Sequence, residues 1–287
     1  LVGGSEDAGD DVVVFAHGIL GNKNNWRSFA KKLTERRPQV RAVLVDLRRH
    51  GQSHDDAMDA ADDTVAGAAT DVDATLRRLG HKPRVLVGHS WGGKAMLWWG
   101  LRRPEGGAPA IEHVVVVDAP PGPRPSLATG ARAVGVVSEV ERVVDAVSSL
   151  PPGLARDRRH LVEQLTGAGL SMPIAQWMTT NLTPLPAPTA DGFVFRFSFD
   201  LDGVRRMLND FAHLDLWPSL MAHQSPPKIV MVRGGRSDRW PEGERAQLRD
   251  AVAGGVVTDV VLERAGHWVH TDDPDGLLDV VAACCRP

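Results

Sequence analysis

The stretch RVLVGHSWGGKAMLWW, residues 84–99, constrains the fold more than any other. Val85, Leu86 and Val87 are apolar β-formers, and a helix-forming run from Lys94 to Trp99 closes the stretch. Gly88, Ser90, Gly92 and Gly93 stand between them. The chain must therefore pass from strand to helix through one sharp corner. Glycines permit such a corner because they carry no Cβ to collide with neighbouring backbone.

Further apolar runs recur along the chain. DVVVFAHG (Asp11 to Gly18), VRAVLVDLR (Val40 to Arg48), RVLVGHS (Arg84 to Ser90), IEHVVVVDAP (Ile111 to Pro120), PPKIVMVRGG (Pro226 to Gly235) and VVTDVVLERAGH (Val256 to His267) read as strands. Most are continuously apolar rather than alternating, as expected of parallel strands buried on both faces. Helical patterns such as NWRSFAKKLTERR and TVAGAATDVDATLRRLG lie between them, the second stopping at Gly80. Strand–helix alternation of this kind predicts a doubly wound α/β sheet. The alternation lapses after Pro120. PPGPRP, a helical stretch, PLPAPTADG and the short alternating FVFRFSF occupy that region. The reading is a core formed by residues 1–120 and 225–287, with a mostly helical cap, 121–224, inserted in it.

Composition narrows the function. The 287 residues are 43% hydrophobic with a net charge of −3, enough for one large core and without the basic excess of a nucleic-acid binder. No apolar run reaches membrane-spanning length. The two cysteines, Cys284 and Cys285, are adjacent and cannot staple a core, which points to an intracellular, reducing compartment. The sequence opens at Leu1, so the reading leaves any targeting segment before it out of view. The sequon NLT at Asn181 is taken as a chance match. No dinucleotide fingerprint or phosphate loop is present. The pairs His50/His54 and His267/His270 have no metal-ligand spacing, so no metal site is expected.

The corner itself has the form G-x-S-x-G, Gly88-His89-Ser90-Trp91-Gly92, which projects a serine hydroxyl from the sheet edge. A nucleophilic serine needs a base, an acid to orient the base, and donors for the oxyanion. His267, after the last strand, is the candidate base, and His270 is read as structural. The oxyanion donors are the backbone amides of Trp91, next to the serine, and Ile19, in the loop after the first strand. Trp98 and Trp99 are assigned to the core.

HGILGNKNNW, DLRRHGQSH, VGHSWGGKAM, VVVVDAPP and AGHWVH together resemble the α/β-hydrolase superfamily. Within it, they are most similar to the abhydrolase domain-containing protein 11 group and related bacterial esterases. The matches run from about Val12 to Thr271 and thin out in the cap. The resemblance implies a mostly parallel eight-stranded sheet flanked by helices, a helical cap, no cofactor, Ser90 as nucleophile and His267 as base. It also implies esterase or thioesterase activity, with mitochondrial members in eukaryotes and cytoplasmic ones in bacteria. Trp91 departs from the methionine usual in the group, and its larger ring is expected to narrow the acyl site.

Two aspartates are physically sensible as the acid. Asp238 follows the strand after the cap, the position many α/β-hydrolases use. Asp118 ends the strand before the cap. The resembled group carries a serine matching Ser237 and an aspartate matching Asp118, which favours Asp118. Asp46 is read as bracing a loop with Arg48. The resulting expectation is a serine hydrolase of small to medium carboxylic esters or thioesters, with Met172, Ile174, Trp177 and Met178 lining an apolar acyl pocket. The alternatives are C–C bond hydrolysis or perhydrolysis on the same triad, or a non-catalytic binding or stabilising protein that keeps the pocket. Epoxide hydrolases and dehalogenases need a carboxylate where Ser90 stands.

Overall fold

The computed structural model describes residues 11–54, 58–102, 111–124, 139–150, 154–223 and 227–286. In chain order the core begins β1 (Asp11–Ala16), α1 (Arg27–Arg36), β2 (Val40–Val45), α2 (Val65–Arg78), β3 (Pro83–His89), α3 (Trp91–Leu101) and β4 (His113–Val117). A segment outside the main sheet follows: α4 (Glu139–Ser148), β5 (Leu154–Ala155), α5 (Arg158–Gly167), α6 (Met172–Met178), β6 (Leu182–Pro184), β7 (Phe195–Phe197), α7 (Leu201–His213) and α8 (Trp217–Met221). The core resumes with β8 (Lys228–Gly234), α9 (Glu242–Ala253), β9 (Val257–Leu262), α10 (Val269–Asp272) and α11 (Pro274–Cys284).

The main sheet is parallel throughout, in the order β2-β1-β3-β4-β8-β9. These six strands are the six apolar runs of the sequence. The resemblance implies eight, but no further apolar run corresponds to the other two, and the sheet has six among the described residues. The continuous apolar character follows from two-sided burial. Val12, Val14, Leu86, Val114 and Val116 face one layer with α2 and α3. Val13, Phe15, Val85, Val87, Val115 and Val117 face the other with α1 and α11. Successive side chains of a strand point to opposite faces, so every position needs an apolar residue. Each fully buried Val or Leu contributes about 1.5–3 kcal/mol relative to exposure.

Strand order reverses at β1: the chain moves outward to β2, then returns to β3 on the other side. The loops leaving β1 and β3 therefore diverge, and a crevice opens between them at the carboxyl ends of the strands. The β3–α3 corner sits at this crevice. Ser90 has φ 52° and ψ −120°, a left-handed backbone that a non-glycine residue adopts only under constraint. A Cβ on Gly88 would lie 2.3 Å from Gly92 O, and one on Gly92 would lie 2.3 Å from His17 O. The glycines thus let the corner close on itself and let the β1 loop pack directly on it.

Two buried histidines hold that loop. Leu47 N donates to His17 Nε2 and Leu20 N donates to His50 Nε2, both at 3.0 Å. The Nδ1 atoms face Gly18 O and Arg48 O, each at 2.7 Å. Carbonyls only accept, so both rings carry their proton on Nδ1 and use Nε2 as an acceptor. The loops after β1 and β2 are thereby clasped to each other in both directions. Leu20 has a positive φ of 58°. Its carbonyl accepts from Asn181 Nδ2 at 2.7 Å, and Asn181 Oδ1 accepts from Asn22 Nδ2 at 2.8 Å. Asp46 braces the same loop, through the Lys23 amide and ammonium and the Gln52 amide. Arg48, its expected partner, pairs instead with Asp71 and Asp63.

Outside the sheet, the segment between β4 and β8 contains, among the described residues, five α-helices and a small antiparallel sheet, β5-β7-β6. β7 comes from the alternating FVFRFSF, and Gly51 N donates to Ser198 O beside it, tying this sheet to the β2 loop. Lys94 of α3 is fully buried, and its ammonium donates to Gly122 O, Phe211 O and Leu214 O. It anchors α7 and the residues after β4 to the corner helix. Burial pulls Lys94 down to about 8.

Gly88→Ala is expected to cost about 1–3 kcal/mol by overpacking against backbone. A thermal melt checks this, and an unchanged Tm would contradict the closed corner. The histidine clasp gives a pH dependence. Burial lowers both imidazoles from 6.5, His50 to about 3 with a further contribution from His17. Between those limits the unfolded chain binds protons that the folded one excludes, so stability falls as pH falls through this window. The slope approaches about 1.4 kcal/mol per pH unit per histidine. Between pH 7 and 5, Tm should fall less in His50→Gln than in the unaltered protein; equal falls would contradict the clasp.

Candidate active site

Asp118 ends β4 with a positive φ of 51°, the same departure from ordinary backbone as Ser90. Its carboxylate is fully buried and accepts from four donors. Gly234 N and Trp240 Nε1 reach Oδ1 at 3.2 and 3.1 Å. Ser237 Oγ and His267 Nδ1 reach Oδ2 at 2.5 and 2.7 Å. Asp238, the alternative acid, is placed differently. Its side chain is 75% exposed and its carboxylate lies 3.3 Å from Arg239 Nε. The structure thus brings Asp118 to His267 and leaves Asp238 at the surface.

His267 follows β9, with its side chain largely buried. Because Nδ1 points at a carboxylate, Nε2 is the ring atom left to face the crevice. The base of the ring rests on His89, with centroids 4.7 Å apart, and His89 Nε2 donates to His267 O at 2.9 Å. His270 packs against His89 at 4.7 Å and Trp26 at 4.8 Å. Burial drives His89 well below the ordinary imidazole range and His270 to about 4. Both are thereby held neutral at pH 7, so neither places a positive charge beside the His267 ring.

Ser90 and His267 line two cavities, one on each flank of the serine. The first runs under the β1 loop to Ile174, Trp177 and Trp268. Of the four residues expected to form an acyl pocket, Ile174 and Trp177 line it, and Met172 and Met178 do not. At 3.6 residues per turn, Ile174 and Trp177 share one face of α6. Met172 lies on the opposite face, 51% exposed, and Met178 is buried in helix packing. Val140 and Val143 of α4 complete the apolar wall. The second cavity lies against Trp91, Asp118, Arg124 and Arg239. The Trp91 ring does not narrow the first cavity. It is buried toward α7, where Nε1 donates to Met207 O at 3.1 Å.

The Ile19 and Trp91 amides, the expected oxyanion donors, flank Ser90: Ile19 lines both cavities and Trp91 opens α3. Neither amide has an acceptor among the described residues. Sequence reading gave no role to His17, His50, His89, Trp240 or Asn181. Asn181 is buried and fully engaged with the β1 loop, which gives its sequon a packing role. Paired histidines after two successive strands, in FAHG and RRHG, were the available signal for the clasp.

Comparison with known proteins gives the family. The model of the alpha/beta hydrolase family matches residues 13–280. The sn-1-specific diacylglycerol lipase ABHD11 of Mus musculus is 30% identical over 278 residues, covering 96% of this chain and 81% of the relative. The Xenopus laevis protein of the same name is 28% identical, covering 94% and 78%. Among solved structures, a marine microorganism esterase superposes with a TM-score of 0.73 at 20% identity, covering 96% of this chain and 95% of the other. With a family match over nearly its whole length and a six-stranded parallel sheet carrying the G-x-S-x-G corner, the chain belongs to the α/β-hydrolase family.

Proposed function

We propose that this protein hydrolyses carboxylic esters, thioesters included, through Ser90, His267 and Asp118, with the 121–224 segment acting as a cap over the serine. The observation that carries this reading is the 2.7 Å contact of His267 Nδ1 with buried Asp118, on the wall of the cavities that Ser90 lines. Ser90 Oγ attacks the ester carbonyl and its proton passes to His267 Nε2. Asp118 holds the imidazole in the tautomer that can accept this proton and offsets the charge that forms. The Ile19 and Trp91 amides receive the oxyanion. Collapse of the tetrahedral intermediate expels the alcohol, which takes the proton from His267. A water activated by the same imidazole then releases the acid and restores Ser90.

The apolar first cavity suits an acyl chain of small to medium length. The two ABHD11 relatives are named diacylglycerol lipases, and lipid-like esters are the natural first substrates to assay here.

Ser90→Ala should lower ester turnover by about 10⁴ or more with the fold retained. Asp118→Asn should cost about 10⁴ in kcat, because the imidazole loses both its orientation and its counter-charge. Asp238→Asn, at the surface, should lose less than about tenfold. Steady-state kinetics on an ester series, with thermal melts as folding controls, checks all three. Collapse in Asp238→Asn with near-normal turnover in Asp118→Asn would reverse the assignment.

A further inference from the structure

The second cavity carries two arginines that hydrolysis of a neutral ester does not use. Arg239 is 8% exposed, and its Nε is buried without a hydrogen-bond acceptor. The carboxylate of Asp238 approaches that atom at 3.3 Å without hydrogen-bond geometry, on a side chain turned to solvent. The Arg239 amide donates to Ser237 Oγ at 3.2 Å, which fixes the residue beside the hydroxyl that touches Asp118. Arg124 donates from Nη1 to Arg239 O at 2.6 Å, and its backbone amide is fixed to Ala212 O at 2.7 Å. Among the described residues, Arg124 has no carboxylate within ion-pair distance.

Both guanidinium-bearing residues line the cavity that also holds Ser90 and His267, and the rest of its wall is mainly apolar, with Pro120, Leu208 and Phe211. Asp118 shares the cavity, but its oxygens are committed to four donors and cannot serve as a free counter-ion. Burial, then the charge of Arg239, lowers Arg124, and the carboxylates of Asp238, Glu244 and Asp118 offset this only in part. A cation taken from water with few partners is costly; Arg239 has only the exposed Asp238 as an ion-pair partner and Arg124 only a carbonyl acceptor, and a planar guanidinium with unspent donors matches carboxylate or phosphate oxygens.

We propose that Arg124 and Arg239 form an anion subsite beside the serine. The preferred substrates are then esters bearing a carboxylate or phosphate on the limb that enters the second cavity, with the other limb along Ile174 and Trp177. This rests on the serine-hydrolase reading above and adds a charge requirement that the reading does not contain.

The test compares charge-matched pairs on the whole protein. Mono(4-nitrophenyl) glutarate against 4-nitrophenyl pentanoate places a carboxylate on the acyl limb. 1-Pentanoylglycerol 3-phosphate against 1-pentanoylglycerol places a phosphate on the alcohol limb. At least one charged member should exceed its neutral counterpart in kcat/KM by about tenfold or more, and the pair that shows it identifies the limb. That ratio should fall by about tenfold or more in Arg124→Gln/Arg239→Gln. Should the double variant fail to fold, inhibition of the unaltered protein decides: glutarate or glycerol 3-phosphate should compete with the neutral ester, and glutaramide and glycerol should not. Equal or better turnover of the neutral member in both pairs would overturn the anion subsite while leaving the serine hydrolase standing. A folded protein that turns over none of the four esters would overturn both.

Discussion

A single buried carboxylate organises one half of the candidate site. Asp118 sits at the end of the central strand β4 and gathers donors from three separate stretches: the end of β8, the loop after it, and the loop after β9. A carboxylate removed from water is costly unless its lone pairs are filled, so these loops are held where they can fill them. The parallel register makes this possible, because β4, β8 and β9 are neighbours and end on the same side of the sheet. The strained φ of Asp118 persists because so many contacts determine it at once.

The other half is organised from β1. The histidine clasp, the Asn22–Asn181 contact and the Asp46 brace fix the loop that presents the Ile19 amide. These contacts join the core to residues of the β4–β8 segment through Asn181. Lys94 and Trp91 make the corresponding link on the far side of the serine, to α7. The position of the outer segment is thus written into polar contacts with the corner helix and the β1 loop, as well as into apolar packing. The two cavities lie where the segment and the core meet on either side of Ser90.

Much of this was legible in the residues. Six apolar runs gave six strands, because a strand buried on both faces has no polar position to confuse its pattern. The corner was legible because only glycine fits where Gly88 and Gly92 approach backbone. The choice between Asp118 and Asp238 was not legible from position, since both follow a strand at the same sheet edge. Direction distinguishes them, for Asp118 and not Asp238 meets His267, and that direction comes from the Ser237 and Trp240 contacts that only the folded loop displays. The lining of α6 was half legible: composition names four apolar residues and helical phase sets Met172 apart, but Met178 shares the face of Ile174 and only packing shows that it is buried away from the cavity. The roles of His17 and His50 depend on tautomers and partners thirty residues apart, which periodicity cannot report.

The central claim is that Asp118, through His267, makes Ser90 a nucleophile. Reaction with a fluorophosphonate, followed by peptide mass mapping, measures this directly. The account predicts a single phosphonyl adduct on Ser90, formed at a rate reduced by about 10³ or more in Asp118→Asn. An adduct on another residue, or labelling of Ser90 at an unreduced rate in Asp118→Asn, would contradict it.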